Sequence, residues 1–203
     1  MRRMVFATNN AHKIREVKRF LQARGIAIEL LTLGEAGFAG EIVEDAETFE
    51  GNACKKARTV RDATGMDTLA DDSGLIVDVL DGAPGVYSAR FSGAGATDAR
   101  NNEKLLKLLR DVPNENRTAR FYCAICMCRA DGGEETVTGE CAGTILSAPT
   151  DGVPFGYDPL FWYPPLGKSF AQMGEDEKNA VSHRGRALEK LAALLAAEET
   201  PRK

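Results

Sequence analysis

The chain has 203 residues, of which 43% are hydrophobic and 28% charged, and its net charge is -4. That length suits one large domain or two small lobes with a real core, and the acidic balance gives no electrostatic ground for a nucleic-acid or membrane-surface partner. No apolar run approaches the ~20 residues of a membrane span, and five cysteines without scaffold spacing point to a reducing, cytoplasmic setting.

Residues 3–8 read as a first strand ending at Thr8-Asn9-Asn10. A helix follows, with Ile14, Val17 and Leu21 on one face, Asn9 or Asn10 as its cap and Gly25 as its stop. Lys13 falls in the first turn, where positive partial charge already resides. An anion docking at that end would account for it, although a solvated lysine is the plain alternative.

Residues 28–33 form a second strand, and a loop with Glu41, Glu44, Asp45 and Glu47 leads to Thr48, which opens a helix running to about Gly65. Its apolar face is Phe49, Ala53, Ala57 and Val60. Asn52 and Lys56 stand four apart beside that face and reach the same spot.

Leu69-Ala70-Asp71-Asp72-Ser73-Gly74-Leu75 follows. The sequence predicts a strand ending near Ala70, a loop with two carboxylates and a hydroxyl, and a new strand over 75–80. Adjacent aspartates repel, and a divalent cation with oxygen ligands would hold them. A solvated turn has the same composition.

After a turn at 81–85 and a loop bearing Arg90, Thr97 or Asp98 starts a helix expected to bury Leu105, Leu106, Leu108 and Leu109. Strands over 117–129 and 134–146 meet at Asp131-Gly132-Gly133, a hairpin signal. In the first of these, alternation sets Cys126 and Cys128 on one face and Cys123 on the other. A metal reading of Cys123-x-x-Cys126-x-Cys128 is weaker than that of small buried apolar side chains. Residues 149–174 form a Pro-, Gly- and aromatic-rich loop, followed by a helical turn containing Lys178, then His183-Arg184 and a final helix with Leu188, Leu191, Leu194 and Leu195.

Five separated motifs stand in order: Thr8-Asn9-Asn10-x-x-Lys13, Thr48-Phe49-x-x-Asn52-Ala53-x-x-Lys56-Ala57, Leu69 to Leu75, Phe155-Gly156-Tyr157-Asp158-Pro159, and Lys178-x-x-x-x-Ser182-His183-Arg184. Together they resemble the inosine/xanthosine triphosphate pyrophosphatase (Ham1-like) family, over about residues 5 to 195. The resemblance implies an α/β fold: a long twisted mixed β-sheet flanked by helices, forming a single two-lobed domain over 1–203 with the active site in the cleft between the lobes. It also implies Mg²⁺-dependent hydrolysis of ITP, dITP and XTP to the monophosphate and pyrophosphate, by a homodimer.

Carried over residue by residue, the resemblance makes Asp72 the general base and a metal ligand, with Asp71 and Glu44 completing the metal site. Thr8, Asn9, Asn10, Lys13 and Lys56 would hold the phosphates, Asn52, Ser73 and Arg90 would also bind substrate, and Gly85 to Arg90 is a further matching segment. Phe155, Gly156, Tyr157, Asp158, Lys178, His183 and Arg184 would form the nucleobase end, with Phe155 or Tyr157 stacked on the purine. Asn9 stands where many members carry glycine, and Gly51 slightly weakens its helix start. Ser182-His183-Arg184 argues against a pyrimidine-triphosphate enzyme, the intact carboxylates against a non-catalytic sensor, and the pI of about 5.4 against an RNA-binding protein.

Overall fold

In a computed structural model describing residues 2–199, strand β1 (Arg2–Phe6) leads into helix α1 (Ala11–Ala23). Asn10 caps α1, its side-chain oxygen accepting from the N–H groups of His12 and Lys13 at 3.0 and 3.2 Å. Strand β2 (Ile28–Leu31) returns parallel to β1. Helix α2 (Phe49–Thr64) starts at Thr48, whose hydroxyl accepts from Gly51 N–H, and stops at Gly65, whose φ of 67° suits a glycine. All four expected apolar residues of its face, Phe49, Ala53, Ala57 and Val60, are buried.

Strand β3 (Thr68–Val77) is the first departure from the sequence reading. The acidic motif is not a loop between two strands but the interior of one ten-residue strand. Residues 78–80, expected to extend a second strand, form a 3-10 turn instead, and 85–90 form another. Strand geometry then dictates side-chain directions, with alternate residues on opposite faces.

Helix α3 (Asp98–Leu108) buries Leu105 and leaves Leu106 half-buried; Leu109 just beyond it is buried, whereas Leu108 is 47% exposed. The apolar stripe is the i, i+4 pair rather than all four leucines. Strands β4 (Thr118–Cys128) and β5 (Glu134–Ile145) are joined by the expected tight turn, closed by Arg129 N–H on Gly133 C=O at 2.7 Å. Within 149–174, read as loop, lie two short strands, β6 (Phe161–Tyr163) and β7 (Lys168–Ser169), antiparallel to one another. Helices α4 (Glu175–Val181) and α5 (His183–Glu199) close the described chain.

The strands form one mixed seven-stranded sheet in the order β2-β1-β3-β4-β5-β6-β7, with β1 parallel to β2 and β3, and β5 antiparallel to β6. The chain divides into two units. The first comprises Met1–Asp72, Cys123–Gly139 and Ala187–Lys203; the second comprises Ser73–Tyr122 and Glu140–Arg186. In the first, α1 and α5 cover one sheet face: Val17, Leu21, Leu188, Leu191 and Leu195 pack on Met4, Phe6, Leu69, Cys123, Ile125 and Met127. Each fully buried leucine contributes roughly 1.5–3 kcal/mol. In the second, Leu75, Val77, Leu105, Leu109, Phe121, Phe161 and Phe170 form the core. No helix among the described residues is long and apolar enough to cross a membrane.

Candidate active site

Two constellations emerge, one in each unit, and β3 supplies both. In the first, alternation along β3 sends Asp71 and Asp72 to opposite faces, which separates the two charges. Asp71, 1% exposed, pairs with Lys13 of α1, whose ammonium stands 3.0 Å from its Oδ2. Asp71 thus places a carboxylate at that helix start. Thr8 sits beside it, its hydroxyl accepting from Asn10 N–H at 3.1 Å, while Asn9 is exposed at the turn.

Asp72, 8% exposed, faces α2. Asn52 donates its side-chain amide to Asp72 Oδ2 at 3.0 Å, and Lys56 Nζ stands 3.8 Å from Oδ1. One helical turn separates Asn52 from Lys56, and the common spot they were expected to reach is this carboxylate. Lys56 Nζ also donates to Glu44 Oε2 at 2.6 Å. Asn52 Oδ1 in turn accepts from Ala46 N–H at 2.9 Å, which fastens the loop carrying Glu44 to α2. Gly51 makes that approach possible: a Cβ there would lie 2.9 Å from Ala46 Cβ. The glycine read as a weak helix start is a packing requirement.

Burial pushes the Asp72 carboxyl above the ordinary aspartate range, and Glu44 adds to that. Lys56, Asn52 and Lys13 pull in the opposite direction without cancelling it. A buried carboxylate with an elevated proton affinity, beside a lysine and an amide, is able to take up a proton.

The second constellation begins one peptide bond later. Ser73 Oγ accepts from Arg184 Nη2 at 2.9 Å, and Arg184 is itself 4% exposed. His183 stacks on Phe121 with ring centroids 4.7 Å apart. Ser182 caps α5, its hydroxyl accepting from Gly185 N–H at 3.1 Å, and so fixes the direction in which His183 and Arg184 leave the helix start. Lys178 of α4 pairs with the buried Asp158 and lies 5.4 Å from the Phe155 ring centre. Phe155 is half-buried.

Tyr157 does not share that position. It is 4% exposed, belongs to the core of its unit and donates its hydroxyl to Ser88 C=O at 2.8 Å. Of the two aromatic candidates for base stacking, the structure leaves Phe155. Arg90 is exposed, with its guanidinium 5.1 Å from the centre of the Tyr87 ring.

Asp98 and Asn102 were missed in the sequence. Asp98 Oδ2 accepts from Gly156 N–H at 2.8 Å and Asn102 donates to Gly156 C=O at 2.9 Å, so α3 grips Gly156 by both of its backbone polar groups. Their i, i+4 spacing at a helix start was the available signal.

This arrangement can be set beside known proteins. A sequence profile of the Ham1 family matches residues 4–194. The chain belongs to the Ham1 family. Among its Ham1 relatives, the dITP/XTP pyrophosphatase of Geobacter sulfurreducens is 50% identical over 188 residues, covering 93% of this chain and 94% of the relative. That of Clostridium perfringens is 46% identical, covering 94% and 96%. The solved HAM1 protein of Coxiella burnetii superposes with a TM-score of 0.89 at 37% identity, covering 97% of this chain and all (100%) of that one. The Staphylococcus aureus Ham1 protein gives 0.88 at 35% identity, covering 98% and 100%.

Proposed function

We infer that this Ham1 protein hydrolyses non-standard purine nucleoside triphosphates, ITP, dITP and XTP, to the monophosphate and pyrophosphate. The observation that carries the reading is the setting of Asp72: buried, raised in proton affinity, and held by Asn52 and Lys56 from one face of α2. Water adds across the α–β phosphoanhydride; its oxygen joins phosphorus, its proton passes to Asp72, and the bridging oxygen leaves with its phosphate. Lys13 and Lys56 oppose the negative charge gathered on the phosphate oxygens, which is the principal requirement of phosphoryl chemistry.

We further propose Mg²⁺ as cofactor, held by Glu44 and Asp72, while Asp71, on the opposite face of β3, keeps its pair with Lys13. The donor set is all oxygen, as Mg²⁺ prefers, and Glu44 and Asp72 already converge on one cation, the Lys56 ammonium. When bound, the metal would supply positive charge that offsets the negative charge developing on the leaving group.

At the nucleobase, donors from Lys178, His183 and Arg184 suit the 6-keto oxygen of hypoxanthine or xanthine, with Phe155 stacked on the ring. Adenine presents an amino group there and leaves those donors unpaired, a mismatch that discriminates by ~10⁴ or more. A homodimer and a cytoplasmic setting complete the reading; the first follows the family resemblance, and the second is supported by five cysteines that all stand as free thiols. Single-turnover mass spectrometry with Mg²⁺ tests the whole: IMP and pyrophosphate from ITP, with ATP slower by several orders of magnitude. IDP and phosphate, or equal rates on ITP and ATP, refute it.

A further inference from the structure

Away from Asp72, the opposite flank of α2 carries a second group of chemically active side chains. Cys54 of α2, Cys126 of β4 and Glu134 of β5 place their donor atoms all within 4.8 Å of one another. Cys128 joins them: its Sγ lies 3.9 Å from Cys126 Sγ and 3.4 Å from Glu134 Oε2. The alternation of β4 puts both cysteines on this face, while Cys123 faces the core under α5. None of these four residues enters the proposed hydrolysis.

We propose that Cys54, Cys126, Cys128 and Glu134 form a metal site of their own, for a thiophilic divalent cation of the zinc class. Zn–S bonds of ~2.3 Å and Zn–O bonds of ~2.1 Å give a tetrahedron with S···S edges of about 3.8 Å and S···O edges of about 3.6 Å. The Cys126–Cys128 and Cys128–Glu134 separations of 3.9 and 3.4 Å are close to two of the six edges, and with Cys54, Cys126 and Glu134 within 4.8 Å of one another, small side-chain movements would close the rest. Soft thiolates select zinc over Mg²⁺, so the two sites would not compete.

The surroundings fit as well. Three thiolates, a carboxylate and a dication sum to minus two, and two arginines stand beside them. Arg58 donates to both oxygens of Glu134 at 2.6 Å, and Arg61, one turn on in α2, interacts with Cys128 and Glu134. The Thr136 hydroxyl lies 3.2 Å from Cys54 Sγ, placed to donate to it as a thiolate. Metal binding releases the thiol protons of its cysteine ligands to solvent. The bound ion would tie α2 to the β4–β5 hairpin.

The test is cobalt(II) titration of the full-length, anaerobically reduced protein, followed by zinc displacement. We expect one equivalent of cobalt to give thiolate-to-metal charge-transfer absorption with tetrahedral visible bands, and one equivalent of zinc to abolish them. Cys54→Ser and Cys126→Ser should lose the stoichiometric signal, and Asp72→Asn should keep it. Far-UV circular dichroism establishes that each variant is folded; should Cys126→Ser fail to fold, Cys54→Ser at its half-buried position and Glu134→Gln decide. Absence of charge-transfer absorption, its persistence in the folded cysteine or glutamate variants, or its loss in Asp72→Asn overturns the proposal. So does a protein that takes up no metal and instead loses two hydrogens in intact mass on mild oxidation, which would mark a Cys54–Cys126 disulfide pair.

Discussion

Asn52 donates its amide to Asp72 at 3.0 Å while its oxygen takes the Ala46 N–H at 2.9 Å, so one side chain links Asp72 to the loop bearing Glu44. Because that amide lowers the proton affinity of Asp72, Asn52→Ala should shift the acid limb of the kcat/KM profile to higher pH. Loss of a partner from a buried acceptor is worth about 1–3 kcal/mol, or roughly ten- to a hundredfold in kcat/KM. A profile that falls in amplitude without moving its acid limb would remove Asn52 from the base assembly.

Asp72 also makes a stability prediction whose sign is unusual for an aspartate. Its folded-state proton affinity is raised above the ordinary 3.8. The stabilisation from its neutral form is therefore complete below that value and lost as pH rises through the higher folded value. At pH 8 the charged Asp72 is a net cost to the fold. Asp72→Asn should melt above the wild type at pH 8, the gap closing as pH falls toward 3.8, while turnover drops by about 10²–10⁴. A variant less stable than the wild type at pH 8 contradicts this.

Lys13→Ala removes the partner of a carboxylate that is 1% exposed. We expect a loss of about 3–5 kcal/mol, since one member of a buried ion pair is removed, together with a raised KM for triphosphate. Adding Asp71→Asn should restore most of the melting temperature without restoring KM. If the double variant recovers both, the lysine serves only the fold.

Phe155 and Tyr157 separate recognition from packing. Phe155→Ala should raise KM for ITP by the ~1–3 kcal/mol of one base stack. Tyr157→Phe deletes the bond to Ser88 C=O and should cost about 0.5–1.5 kcal/mol of stability with KM unchanged. Steady-state kinetics and thermal melts on the pair distinguish the roles; a KM effect confined to Tyr157→Phe would reverse them.

Gly185 lies where a Cβ would sit 1.8 Å from Asn179 C=O. Gly185→Ala must push α4 from the start of α5, and with it Lys178 from His183 and Arg184. Overpacking of this kind costs about 1–3 kcal/mol, some 2–4 °C in melting temperature per kcal/mol at this size. KM for ITP should rise more than kcat falls, whereas an unaltered KM would show that the junction tolerates the shift.

Periodicity made the helices legible: the buried face of α2 and the Asn52–Lys56 pair follow from spacing alone. The interior of β3 was misread because Asp, Ser and Gly are turn residues by composition, and only tertiary partners, Lys13, Lys56 and Asn52, let carboxylates lie in a buried strand. Leu108 failed for a related reason, since four leucines in five positions exceed the width of the face that α3 buries. Tyr157 and Phe155 are alike in sequence; what separates them is Ser88, 69 residues away. The grip of Asp98 and Asn102 on Gly156 was hidden by the same kind of distance.

The placement of the acidic motif inside β3 has a consequence for how this gene can vary. Along a strand, every residue's outlook is set by whether its number is odd or even, and one inserted or deleted residue reverses it for all that follow. A single-codon insertion between Leu69 and Asp72 would turn Asp72 from α2 toward α1 and leave Asn52 and Lys56 facing its neighbour. Such an indel should inactivate the protein even if every original side chain is retained, whereas substitutions at Ala70 or Leu75 leave the parity intact. Length in this segment is under tighter constraint than spelling.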